Sequence, residues 1–198
     1  MWNVLSSKKK WVWCWFWLFC LSGCAPEESD DLGPFEDGTG GTAVNAETVQ
    51  EVTLSLNSGV AAGTFSYDSS YFTLIVDEET HATTIFDTPT ATNPTPELAV
   101  VIFPIVGRVA TTCRYQAAVQ ARDSHYTILE KEVGTRTNSN GLEFYQVNLD
   151  LKEEGKYQSM LCADLLDSTG AFFQVITENK AALEYEQLLF LLNSVNSI

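Results

Sequence analysis

Basic side chains are scarce in this chain. Eleven Lys and Arg stand against 26 Asp and Glu in 198 residues, a formal charge of −15. That balance argues against a nucleic-acid partner and against adsorption to anionic headgroups, since both need cationic surface. Tryptophan is missing beyond residue 17: all five lie at positions 2, 11, 13, 15 and 17. There is no Cys-x-x-Cys or Cys/His cluster of the kind that holds a metal. A G-x-S-x-G elbow is absent, and so is a glycine-rich phosphate loop following a strand. Histidine occurs twice. His81 follows Asp77-Glu78-Glu79-Thr80 and reads as part of a polar turn. His125 follows Asp123-Ser124, but adjacent residues on a strand point to opposite faces, so the run makes no triad. The sequence therefore gives no catalytic residue, no metal ligand and no cofactor.

What is present begins at the N-terminus. Lys8-Lys9-Lys10 precede an uncharged run, residues 11–22. A cationic stretch followed by a short apolar run and a small residue has the form of a secretory signal. Twelve residues of helix rise roughly 18 Å, short of a hydrocarbon core of about 30 Å. Leu21-Ser22-Gly23-Cys24 then resembles the bacterial lipobox. The resemblance implies cleavage after Gly23 and a diacylglycerol, often with a further acyl chain such as palmitate, on Cys24. Two or more acyl chains give stable anchoring. The expectation is thus a signal peptide over residues 1–23 and a membrane-anchored, extracytoplasmic product. Without the three lysines at 8–10, eight basic residues face 26 acidic ones, a net of −18.

Residues 25–47 carry seven acids and no base. Low hydrophobicity with one sign of charge predicts a disordered stretch. Residues 24–47 are accordingly expected to form a flexible tether, about 25–30 Å end to end. Gly38-Thr39-Gly40-Gly41 falls within it. Cys14 and Cys20 would leave with the signal, which makes Cys113 and Cys162 an even pair in an exported domain. They are either a disulfide or two separate buried thiols.

From residue 48 to 198 the pattern is that of one globular domain. Val49–Leu56 alternates as a strand does, and 64–67, 72–76 and 82–86 are short β-rich runs. Residues 88–97 hold three Pro and four Thr, a loop. Leu98–Val106 is continuously apolar, as a strand covered on both faces would be. Cys113, Ala117 and Ala121 share one face of a helix over 110–122. Strands follow at 126–133, 143–151, 157–166 and 171–177, joined by short turns, among them Asn138-Ser139-Asn140-Gly141. Such a run implies an antiparallel meander. Asn179 is a candidate N-cap for a closing helix whose apolar stripe runs from Ala181 to Val195. Phe65, Tyr67, Tyr71 and Phe72 are expected in the core.

The segment Phe65-Ser66-Tyr67-Asp68-Ser69-Ser70-Tyr71-Phe72-Thr73-Leu74 resembles the opening segment of PsbP/Mog1-like domains. The order of elements after it, and the ending Leu192-Asn193-Ser194-Val195, are similar to that family as well. Asp68 stands where the family usually has Pro, and Tyr71 where it often has Trp. The resemblance implies an α+β domain: a mostly antiparallel sheet with a middle helix and a C-terminal helix packed on it, an α/β/α sandwich. It also implies a non-catalytic accessory, ligand-binding or protein-binding role. The expectation for function is a lipid-anchored binding module of the cell envelope, whose partner is an unidentified protein or envelope ligand. The alternative is an envelope hydrolase with a site assembled from dispersed residues.

Overall fold

A computed structural model describes residues 30–36, 38–55, 59–89, 96–106, 109–123, 127–151, 155–166 and 169–198. Residues 1–23, expected as a signal segment, and Cys24 lie outside the described residues, as does His125. The strands are β1 (Asp30–Pro34), β2 (Val49–Ser55), β3 (Ala61–Asp68), β4 (Phe72–Val76), β5 (Thr83–Asp87) and β6 (Leu98–Val106). After helix α1 (Val109–Asp123) come β7 (Thr127–Thr137), β8 (Glu143–Leu151), β9 (Lys156–Leu166) and β10 (Thr169–Thr177). A 3-10 turn over Lys180–Glu184, helix α2 (Glu186–Ser194) and the two-residue β11 (Asn196–Ser197) close the chain. No helix among the described residues is long and apolar enough to cross a membrane.

The fold is α+β and mostly antiparallel, as the sequence pattern implies. The strands divide between two sheets, however. Eight form one sheet in the order β1-β7-β8-β9-β10-β6-β5-β4, and β11-β3-β2 form a second. The expected meander is β7 through β10, with β6 added beside β10. Between β6 and β7 the chain crosses over the sheet as α1, which packs on β7, β8, β9 and β10. Its buried face is Cys113 and Ala117, set against Tyr145, Val147, Met160 and Phe172. The opposite face of the sheet meets the second sheet and α2 in the larger core, where Phe65, Phe144, Phe173, Leu188 and Leu191 are buried. Phe65, Tyr67 and Phe72 are all core residues, with Tyr71 packed at their margin. Pro104 sits in β6 past Ile102, the last residue that β5 pairs, so its missing N–H falls where β6 has no neighbour on that side among the described residues.

Two expectations need correction. Residues 24–47 are not a free tether throughout. Asp30 and Asp31 pair in parallel with Gly134 and Thr135 of β7. Phe35 is buried, T-shaped to the Phe144 ring at 5.4 Å, with the Arg136 guanidinium over the Phe35 ring at 4.9 Å. Backbone pairing and one aromatic order residues 30–36 while Asp30, Asp31 and Glu36 stay in water, which a composition criterion does not detect. The fit at Gly134 is close: a Cβ there would overlap the Asp30 carbonyl oxygen. The domain therefore begins near Asp30 and not at 48. The closing helix is also not continuous. Asn179 caps the 3-10 turn by accepting from Ala181 N, but Tyr185 is extended (φ −69°, ψ 140°) and breaks it from α2. Lys180 of that turn reaches Glu132 on β7 at 2.6 Å, and Glu132 accepts from the buried Asn148 at 2.8 Å. Burial pushes the Glu132 carboxyl up, but the hydrogen bonds from Lys180 and Asn148 and the Lys180 charge outweigh it and hold the pKa below the usual value.

Candidate functional site

Helix α2 is fastened at both ends, and the two fastenings frame an open cleft. At its start, the segment before β2 runs across it. Glu186 N donates to Gly40 O at 3.1 Å, and Thr39 N donates to Glu184 O at 3.0 Å. Val44 N donates to the Glu186 carboxylate at 3.2 Å. The glycine run expected in the tether serves this contact: a Cβ on Gly38 would overlap Glu186 Cα.

Gln187, fully buried, donates from Nε2 both to Ala43 O at 3.0 Å and to Asp68 Oδ2 at 3.2 Å. Asp68 is 1% exposed and collects Asn45 N, the Thr48 hydroxyl, and the Ser70 N–H and hydroxyl at 2.6–2.8 Å. Burial alone would push its carboxyl up. The Ser70 and Thr48 hydroxyls and the Asn45 and Ser70 amides overcome that and hold it far below the usual carboxylate range.

At the other end of α2, the β7–β8 hairpin turn acts as a C-cap. Asn138 is buried and donates from Nδ2 to Leu192 O at 3.2 Å and Val195 O at 2.7 Å. Its Oδ1 accepts from Asn140 N and Leu142 N. Asn140 Nδ2 donates to Val195 O at 3.0 Å, and Ser139 N to Asn193 Oδ1 at 3.1 Å. Helix ends leave carbonyls without intrahelical partners, and here two side-chain amides supply them.

Between these fastenings lies a cleft of about 640 Å³. Leu189 and Phe190 give it an apolar wall, and Gly38 and Val44 form one lip. Ser139, Glu186, Asn193 and Ser194 supply polar atoms. The Ser194 hydroxyl is committed: its one proton has Leu191 O at 2.7 Å and Ser66 O at 3.1 Å as acceptors, and its oxygen accepts from Ser66 N. The second Glu186 oxygen, the Asn193 amide N–H groups and the Ser139 hydroxyl remain available among the described residues. One carboxylate, one amide donor and one hydroxyl beside an apolar wall suit an uncharged polar or cationic group. Among the described residues that line this cleft there is no histidine, Lys or Arg.

The sequence candidates fall elsewhere. His81 sits at φ 55° in a turn closed by Asp77 N to Ala82 O and His81 N to Asp77 O, both 2.9 Å. The Asp77 carboxylate accepts from Glu79 N and Thr80 N. No group of three His, Cys, Asp or Glu arranged for a metal occurs among the described residues. Cys113 on α1 and Cys162 on β9 are joined in a disulfide with their Cα atoms 5.8 Å apart. Of the residues that build the cleft's frame, Asp68 stands out in the sequence only as a departure from a family pattern and Asn138 only as a turn residue, while Gln187 carries no signal. What bears on the role of Asp68 is the Asp-Ser-Ser run, where a short acceptor precedes two small donors.

No family model matches the chain, and neither does any curated protein. Among solved structures it is similar to one from Bacteroides thetaiotaomicron VPI-5482, at TM-score 0.41 and 9% identity. That likeness covers 69% of this chain and 45% of the other.

Proposed function

We propose that this chain is a lipid-anchored extracytoplasmic lipoprotein that acts as a non-catalytic binding or accessory module of the cell envelope. The observation that carries the reading is the order Lys8-Lys9-Lys10, an uncharged run over 11–22, then Leu21-Ser22-Gly23-Cys24. The Cys113–Cys162 disulfide supports it, because such bonds persist in oxidising compartments. The cleft beside α2 supports a binding role: it offers hydrogen-bonding groups beside an apolar wall. The finer class proposed for the domain is PsbP/Mog1-like. The crossover helix α1, the β7–β10 meander and the closing helix α2 are its supports.

The test is metabolic labelling with an alkyne fatty acid in a bacterial host, followed by membrane fractionation. The wild-type chain takes up label and sediments with membranes. Cys24→Ala stays unlabelled and retains its signal. A Cys24→Ala protein that is still cleaved and membrane-bound would show the lipobox reading to be wrong.

A further inference from the structure

The large sheet ends in β4, which pairs with β5 and with no other described strand. The other outer strands carry the devices that keep an edge from pairing. β1 holds Asp30, Asp31 and Pro34, β2 holds Glu51, and β11 is two residues long. β4, Phe-Thr-Leu-Ile-Val, has neither charge nor proline, and Ile75 and Val76 are 56% and 49% exposed.

The ladder shows which of its groups face out. Thr88 N donates to Tyr71 O at 2.8 Å and Asp77 N to Ala82 O at 2.9 Å, in register with the Phe72–Asp87 pairing. Tyr71, Thr73, Ile75 and Asp77 thus turn their backbone groups toward β5. Phe72, Leu74 and Val76 aim theirs away from it, because orientation alternates along an antiparallel strand.

We propose that this edge pairs with the β4 edge of a second copy, antiparallel about a two-fold axis at Leu74. The strand is self-complementary in that register. Phe72 meets Val76 of the second copy, Leu74 meets its own counterpart, and Thr73 meets Ile75 on the exposed face. Isologous contacts of this kind close as dimers. Charge selects the direction. The acidic turn Asp77-Glu78-Glu79 follows β4 directly. Antiparallel pairing sets Asp77 opposite Tyr71 of the other copy and sends the two acidic turns to opposite ends. Parallel pairing would lay them side by side, a like-charge contact that disfavours it. In a protein of charge −15, a strand free of charge is where two copies can approach.

The test is sedimentation of the full chain in detergent over a concentration series. Wild type is expected to dimerise. Ile75→Lys is expected to be monomeric with an unchanged far-UV circular dichroism spectrum, Thr73→Lys replacing it if that variant fails to fold. Val60→Lys changes an equally exposed apolar residue outside β4 (53%) and should stay dimeric. Mixed Thr73→Cys and Ile75→Cys chains should oxidise to a linked dimer faster than Ile75→Cys alone. A monomer at all concentrations overturns the proposal. So does a dimer that survives Ile75→Lys, which is association through the micelle or another face, or faster linkage by Ile75→Cys alone.

Discussion

Gln187 and Asp68 are 119 positions apart in sequence, yet the Gln187 amide donates to the Asp68 carboxylate at 3.2 Å. The pair joins the start of α2 to the end of β3, and through Asn45 and Ala43 it holds the segment preceding β2 as well. One carboxylate therefore sets the position of one lip of the cleft.

Asp68→Ala should destabilise the domain by about 3 kcal/mol or more, since it leaves several donors without an acceptor. A urea titration followed by far-UV circular dichroism measures it. Val44 and Gly38 should also become protected less strongly against hydrogen exchange.

The same carboxylate predicts an acid limb. Its folded pKa is depressed, so its contribution is complete above the unfolded value of about 3.9 and is lost as pH falls toward the folded one. The stability of wild type should drop steeply below about pH 4. Asp68→Asn should be less stable at neutral pH and show a shallower acid slope. Equal slopes in the two proteins would remove Asp68 as the cause.

Asn138 and Asn140 share a turn but differ in burial. Asn138→Ala removes donors to Leu192 and Val195 and the acceptor for two amides, and should cost about 2–3 kcal/mol. Asn140→Ala, exposed, should cost about 1 kcal/mol or less. Thermal melts of the two variants, compared at one pH, decide the ranking.

The disulfide links residues 49 positions apart. On the chain-entropy account, opening it costs roughly 4 kcal/mol. Cys113→Ala with Cys162→Ala should lower the melting temperature, and a reducing agent should then have no further effect. An unreduced wild-type digest should yield a linked Cys113–Cys162 peptide by mass spectrometry.

Much of the fold was legible where a periodic signal was strong. The alternation in 143–151 became β8, the apolar run Leu98–Val106 became β6, and the small-residue face of 110–122 became α1. What was not legible depends on partners distant in sequence. β1 is acidic and short, and it is a strand only because β7 offers an edge with a glycine at the crossing point. The division into two sheets rests on β3 leaving its neighbour β4 to pair with β2 and β11, which no local pattern records. The break at Tyr185 was hidden because the apolar stripe of Ala181 to Val195 continues through it. For the cleft, the Asn138–Gly141 turn was visible as a turn, but its service to the end of α2 was not.

The pairing of β1 with β7 shortens the leash. If Cys24 carries the lipid, only residues 25–29 separate it from Asp30, and five residues span at most roughly 18 Å. The body would then ride close against the bilayer surface, with the β1 edge of the large sheet lowest and β4 at its far edge. Any pull on the anchor would load the β1–β7 hydrogen bonds before it reached the core. The outer strand would act as a mechanical fuse, peeling away under strain while the eleven-residue β7 behind it holds the rest of the sheet together.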